Sequence, residues 1–179
     1  VLKPQPLFQA YISISPELAP NMIDYLPEVL SKIQSKIFYY LANTNNDVKS
    51  IKRMTEVLNT DINAIDNKNV VYNFDSFDGP SHYSLPTHAI PSAIESIFQV
   101  FQPISKKEYK DVILELEISP VLYLQEKYEA ISDLFGVEKK VLINDFKATS
   151  AAIEKNEWYE YYEELGKMAR KAYPETILG

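Results

Sequence analysis

Cysteine is absent from the 179 residues, so the chain cannot form a disulfide, a thiolate metal site or a cysteine nucleophile. Its two histidines, His82 and His88, are too few for the usual zinc sites, in which His and Cys supply most ligands. We therefore expect no metal site in this sequence.

Glycine is scarce as well. The 4 glycines are Gly79, Gly136, Gly166 and Gly179. A Rossmann fingerprint, a P-loop and a G-x-S-x-G nucleophile elbow each need glycines close together in the sequence, and no such cluster is present. We expect no cofactor and no glycine-built nucleophile or phosphate site within this chain.

Basic residues are too few and too scattered for a nucleic-acid surface. The chain has 18 Lys and Arg against 25 Asp and Glu, a formal net charge of −7. Without a basic stripe, neither nucleic acid nor an anionic membrane surface is an expected partner. No apolar run approaches the roughly 20 residues of a membrane span. Apolar residues still make up 46% of the sequence, enough for a globular core.

The first hundred residues alternate strand-like and helix-like segments. The predicted order is strand 7–16, helix 21–35, strand 36–43, helix 48–65, strand 69–77 and helix 86–101. A polar loop at 43–47 follows the second strand, and a turn at 78–80 follows the third. This alternation predicts βαβ crossovers and therefore a parallel sheet. In the last helix, we expect Ile90, Ile94, Ile97 and Phe101 to face inward.

After Pro103 only helical patterns remain. Three apolar stripes are spaced for helices: Val121, Leu124, Tyr128, Ile131 and Phe135; Leu142, Phe146, Thr149 and Ile153; and Trp158, Tyr162, Leu165, Ala169 and Ala172. We therefore predict an α/β part at residues 1–103 and a small all-helical tail at residues 104–179.

Segments in three parts of the chain carry a resemblance to one family. Residues 7–16 (LFQAYISISP) resemble the strand two steps after the nucleophile in α/β-hydrolase esterases of the esterase D and enterochelin-esterase type. Residues 74–86 (FDSFDGPSHYSLP) are similar to that family's last strand and histidine loop, and residues 93–98 to the helix after it. Residues 158–165 and 173–176 resemble the tetratricopeptide-like helical tail of some bacterial members.

The resemblance implies that this sequence is the C-terminal part of a serine carboxylic-ester hydrolase. The catalytic serine, its elbow and the oxyanion hole would then lie upstream of Val1, which agrees with the shortage of glycine. It implies a small-molecule ester as the substrate of the whole protein. It also implies no hydrolysis by residues 1–179 alone, because the nucleophile would be missing.

His82 is the first candidate catalytic residue. It lies between the third predicted strand and the next helix, at the carboxyl edge of the sheet, where sites of this architecture open. The resemblance implies that His82 accepts the serine proton and returns it to the leaving alkoxide. The alternative is a solvated loop histidine. His88, at the start of the following helix, is better explained as a partly exposed residue of its first turn.

Asp47 is the candidate acid partner, because it is the one carboxylate in the loop after the second strand. Its role would be to hold the imidazole tautomer, and its alternative is the N-cap of the helix that starts at Val48. The loop is rich in asparagine where many relatives have a glycine and then an acid. This leaves open a Ser–His dyad, or an orienting role for Asn43 or Asn45.

The remaining candidates have simpler structural explanations. Asp75 and Asp78 fit a strand residue and a turn residue, and Phe77 and Tyr83 fit core aromatics as well as an acyl pocket. The tail aromatics are Trp158, Tyr159, Tyr161 and Tyr162, which could grip a peptide but more simply pack between helices. An interaction module that uses this tail is the alternative function.

The first strand raises a question of pairing. In the larger domain that the resemblance implies, this strand has a neighbour that the present sequence lacks. Unpaired N–H and C=O groups along a strand edge favour association. We therefore expect this edge either to form a homodimer with a second copy or to be covered by the tail helices.

Overall fold

A computed structural model of the chain describes residues 5–174, so Glu175 and Thr176 of the tail motif lie outside the described residues. The chain divides into two compact units, one up to Gln99 and one from Val100 onward. The assignment of 1–103 and 104–179 as separate domains stays a prediction.

The first unit is a three-stranded parallel sheet with helices, as the sequence predicts. Its elements are β1 (Ala10–Ile14), α1 (Met22–Ser31), β2 (Ile37–Asn46), α2 (Lys49–Asn63), β3 (Val70–Ser81) and α3 (Leu85–Phe98). The strand order is β1-β2-β3, with β2 in the centre. In the part of the chain that the structure describes, β1 pairs with β2 alone.

β2 is buried on both faces, as its nearly continuous apolar sequence predicts. Tyr39 and Leu41 face a core shared with α1 and α2, which includes Leu30 and Leu58. Tyr40 and Ala42 face the opposite core, formed with three residues of α3: Leu85, Ala89 and Ala93.

Two strands are longer than the sequence predicts. β2 continues to Asn46 and β3 to Ser81, so the expected polar loop at 43–47 and the expected turn at 78–80 are largely strand. The predicted loop and turn are wrong because side chains of one strand bond the backbone of the other. Thr44 Oγ1, for example, donates to the carbonyl oxygen of Pro80 at 2.6 Å.

The inward face of α3 also differs from the prediction. The buried residues are Leu85, Ala89, Ala93 and Ile97, whereas Ile90 and Ile94 are exposed. The helix ends at Phe98, and a 3-10 turn follows at Gln99–Phe101. The small side chains of Ala89 and Ala93 let the helix lie close to the sheet, although larger apolar residues form the more obvious stripe in the sequence.

The second unit is helical, as predicted. Its α-helices are α4 (Lys106–Asp111), α5 (Pro120–Phe135), α6 (Ile143–Lys155) and α7 (Tyr162–Ala172). The three predicted stripes pack into one core that includes Leu124, Phe146 and Leu165. Gly136 ends α5 with φ +65°, a conformation that glycine adopts without strain. The likeness to tetratricopeptide repeats stays a prediction.

A buried carboxylate ties this helical core together. Asp145 accepts hydrogen bonds from Tyr128 Oη and from the backbone N of Ile104, both at 2.8 Å. Tyr128 Oη in turn accepts from the backbone N of Leu142. Burial, with help from Asp145, raises the pKa of the Tyr128 phenol. None of the helices that the structure describes is long and apolar enough to cross a lipid bilayer.

The tail aromatics mostly pack inward. Trp158, Tyr161 and Tyr162 lie against the helical core, while Tyr159 is exposed and stacks on Tyr162 with 6.2 Å between ring centroids. The packing interpretation therefore accounts for three of these four residues.

Candidate active site

The candidate site forms where the three strands end. Ser15 comes directly after β1, Asp47 directly after β2 and His82 directly after β3. Because the strands are parallel, their carboxyl ends meet at one edge of the sheet. This topology alone brings residues that are 32 and 35 positions apart in sequence into contact.

An irregularity in β3 sets the position of His82. Thr44 pairs with Phe77, and Asn46 pairs with Ser81. Between these two pairs, β3 therefore contains more residues than β2, which makes a β-bulge. Gly79 lies in this bulge with φ +107°, a conformation that favours glycine.

The asparagine-rich end of β2 holds the bulge in place. Asn45 donates to the Asp78 carboxylate and accepts from the backbone N of Gly79. Asn46 Nδ2 donates to the carbonyl oxygen of Gly79 at 3.0 Å. These asparagines therefore fix the strand that carries His82.

Asp47 and His82 form a hydrogen-bonded pair. His82 Nδ1 lies 2.7 Å from Asp47 Oδ1. The Asp47 side chain is fully buried at 0% exposure, while that of His82 is 31% exposed. The same Oδ1 accepts from the backbone N of Val48 at 2.9 Å, and Oδ2 accepts from Ser15 Oγ. The carboxylate is thus bonded on both oxygens, as a buried charge requires.

This arrangement defines which ring nitrogen of His82 can act as a base. A carboxylate only accepts, so Nδ1 carries the hydrogen that bonds Asp47, and the neutral ring has its lone pair on Nε2. Nε2 makes no hydrogen bond with any residue that the structure describes. The pair therefore presents a partly exposed, oriented base at the sheet edge.

The structure also tests the N-cap role of Asp47 and the orienting roles of Asn43 and Asn45. The N-cap of α2 is Val48, with no side-chain cap hydrogen bond, so the alternative that Asp47 is the N-cap is wrong. Asn45 bonds the β3 bulge, and the fully buried amide of Asn43 has no partner within residues 5–174, so neither orients His82.

The other two carboxylates are engaged elsewhere. Asp75 accepts from Tyr40 Oη at 2.6 Å. Asp78 accepts from Asn45. Burial and the Asp75 carboxylate raise the pKa of the Tyr40 phenol, so it stays a neutral donor.

The remaining aromatic candidates and His88 lie outside the hydrogen-bonded pair of His82 and Asp47. Tyr83 is 92% exposed, and its ring stands edge-on to His82 with 5.3 Å between centroids. Phe77 is half-buried and lies against His88, which is exposed in the first turn of α3.

Ser15 is the site residue that the sequence analysis missed. It is 5% exposed, has φ +42° and bonds Asp47. The predicted strand 7–16 includes Ser15, whereas β1 ends at Ile14 and so leaves Ser15 at the edge where the carboxyl ends of the parallel strands meet. No group of three or more His, Asp and Glu suited to a metal ion occurs among the described residues.

Two solved structures are similar to this chain, while no protein-family model and no curated protein matches it. An uncharacterised protein from Capnocytophaga ochracea DSM 7271 is 27% identical, with a TM-score of 0.76 over 93% of this chain and 47% of that one. An IroE-like serine hydrolase from Shewanella oneidensis is 16% identical, with a TM-score of 0.58 over 94% and 53%. The chain therefore spans about half the length of each, and its α/β fold is like that of a serine hydrolase.

Proposed function

We propose that this chain is the C-terminal part of a serine carboxylic-ester hydrolase and supplies its base and acid, His82 and Asp47. The observation that carries the proposal is the 2.7 Å contact between His82 Nδ1 and the buried Asp47 carboxylate. Such a pair leaves Nε2 oriented to exchange a proton with a nucleophile.

The chemistry follows the serine-hydrolase scheme. Nε2 of His82 takes the proton of a serine hydroxyl as that oxygen attacks the ester carbonyl, and then gives the proton to the leaving alkoxide. Asp47 holds the ring and stabilises the imidazolium between these steps. We place the serine and the oxyanion hole in an N-terminal part of the protein outside this chain, because no glycine-built elbow occurs within it.

The decisive experiment compares the full-length protein with its His82→Ala variant on p-nitrophenyl acetate. We expect kcat/KM to fall by roughly a thousandfold, the scale of losing a triad member. His88→Ala is the matched control, because this histidine is exposed on α3 and bonds neither Asp47 nor Ser15; its rate should stay near that of the wild type. Equal rates for the wild type and His82→Ala would overturn the proposal.

Residues 1–179 alone provide a second test. Without a nucleophile and an oxyanion hole, the oriented base has no covalent route, so we expect no hydrolysis that a serine-directed inhibitor blocks. Inhibitor-sensitive turnover by this chain would place the nucleophile within it and contradict the proposed division of the site.

The alternative function, protein interaction through the tail, has one observation in its favour. A cavity of about 280 Å³ opens between α6 and α7, with walls that include Phe146, Leu165 and Tyr173. The asparagine-rich end of β2 gives this alternative no support, because Asn45 and Asn46 bond the β3 bulge. A full-length protein without esterase activity would favour this alternative.

A further inference from the structure

We propose that Ser15 is a positioning residue for the acid of the site, an inference that rests on the proposed esterase function. Its hydroxyl donates to Asp47 Oδ2, the carboxylate oxygen that does not face His82. Ser15 therefore acts on the reaction through Asp47 and does not touch the substrate.

The bonding around Asp47 gives Ser15 a distinct task. Oδ1 accepts from His82 Nδ1 and from the backbone N of Val48, whereas Ser15 Oγ is the donor to Oδ2. A carboxylate that accepts hydrogen bonds on one oxygen can still rotate about the Cβ–Cγ bond of the aspartate. Hydrogen bonds to both oxygens prevent this rotation. The Ser15 hydroxyl thus keeps Oδ1 directed at the imidazole.

The backbone of Ser15 supports a role for its side chain. Its φ of +42° lies in the left-handed region, where glycine is free of strain and other residues are not. Its backbone N donates to the carbonyl oxygen of Ala42 at 2.8 Å, which continues the β1–β2 ladder past the last residue of β1. The position therefore suits glycine better than serine on backbone grounds, and the hydroxyl is what glycine would lack.

The same geometry excludes Ser15 as the nucleophile of the proposed reaction. Its hydroxyl bonds Asp47, which occupies the Nδ1 side of the His82 ring. The base nitrogen, Nε2, lies on the opposite side of the ring. His82 therefore cannot take the proton of Ser15 in this arrangement.

The first test uses Ser15→Gly in the full-length protein. Glycine relieves the left-handed backbone but also removes the donor to Oδ2 of the buried Asp47 carboxylate, so the two effects on the melting temperature oppose each other and kcat is the deciding readout. We expect kcat to fall about 10- to 100-fold, with KM within about twofold, because a misplaced base slows the chemistry more than binding. A purely structural role predicts unchanged kcat, whatever the change in melting temperature.

Two further variants sharpen this test. Ser13→Ala is the matched control, because Ser13 lies on the same strand and its hydroxyl bonds Tyr39 rather than Asp47; we expect wild-type kcat. In an Asp47→Ala background, Ser15→Gly should lower kcat no further, since the two residues act as a unit. A full additional loss in that background would mean that Ser15 acts by another route.

A spectroscopic readout separates this inference from the proposed function. In residues 1–179 labelled with ¹⁵N, neutral His82 should show the Nδ1–H tautomer and a downfield proton on Nδ1, and Ser15→Gly should weaken or broaden that signal. An unchanged signal together with unchanged kcat would refute the role of Ser15 and leave the esterase standing. A lost signal in a full-length protein whose activity does not need His82 would refute the esterase and keep the positioning.

Discussion

At the scale of single residues, the Asp47 carboxylate is the group on which the site depends. It is completely removed from water, and a buried charge without partners is strongly disfavoured. Three donors surround it: His82 Nδ1, Ser15 Oγ and the backbone N of Val48. Because these three donors bond both of its oxygens, the Asp47 carboxylate remains a hydrogen-bond acceptor and keeps a fixed orientation.

Asp47→Asn tests this dependence with little change of shape. An amide can present its NH₂ group to His82 Nδ1 and so favour the wrong imidazole tautomer, and we expect kcat of the full-length protein to fall roughly 10³- to 10⁴-fold. Asp66→Asn, an exposed aspartate before β3, should change kcat little. The measurement is turnover of p-nitrophenyl acetate at saturating substrate, and near-wild-type turnover by Asp47→Asn would remove Asp47 from the mechanism.

At the scale of elements, the bulge of β3 shows how far the sequence could predict the site. Sequence patterning predicts three parallel strands, and the resemblance to α/β-hydrolase esterases implies His82 and Asp47 as the catalytic candidates. Sequence patterning could not predict that Asn45 and Asn46 extend β2 and form hydrogen bonds to β3, because polar side chains after a strand usually indicate a loop. The strand extension depends on cross-strand bonds that no single segment encodes.

The helix α3 shows a second limit of sequence patterning. Ile90 and Ile94 form a regular stripe, yet the neighbouring stripe of Ala89 and Ala93 faces the sheet. Both stripes satisfy helical periodicity, so periodicity cannot choose between them. The choice depends on how much room Tyr40 and Ala42 of β2 leave beneath the helix, which is a tertiary property.

Two Gly→Ala substitutions should act with opposite signs on stability. At Gly79 a Cβ would meet no atom within 4 Å, but φ +107° strains any L-residue, so we expect a loss of about 1–3 kcal/mol in the free energy of unfolding. At Gly166, inside α7, a Cβ would meet the end of the flexible Arg170 side chain, and alanine should stabilise by up to about 1 kcal/mol. Denaturant unfolding measures both, and equal effects would contradict the role of the bulge.

At the scale of the whole molecule, buried phenols set the response to alkaline pH. Burial is the main cause that raises the pKa of five tyrosines: Tyr39, Tyr40, Tyr72, Tyr123 and Tyr128. The unfolded chain ionises its phenols near pH 10, while the folded protein keeps these five protonated. Their contribution to stability is therefore complete below about pH 10 and is lost as the pH rises further.

A paired titration checks this expectation. Phenolate absorbance and far-UV circular dichroism should be followed together from neutral pH upward. We expect the last part of the absorbance rise to coincide with the loss of helical signal, because the buried phenols ionise only as the protein unfolds. A complete rise in absorbance with an intact circular dichroism spectrum would show that the five phenols are accessible in the folded state.

The edge of β1 carries the last prediction, that two copies of residues 1–179 associate through it. Ser15 N bonds Ala42, and Phe38 N bonds the carbonyl oxygen of Gln9, so the backbone groups of the alternate residue Ile12 point to the unpaired side. The Ile12 side chain is 42% exposed, and an exposed apolar strand edge favours pairing with another chain.

Sedimentation of residues 1–179 should therefore give a dimer. Ile12→Lys should give a monomer with an unchanged circular dichroism spectrum, because a charge on an edge strand opposes pairing, whereas Val57→Lys, at an exposed position of α2, should stay dimeric. A monomeric wild type, or a dimer that Ile12→Lys leaves intact, would mean that β1 does not mediate association.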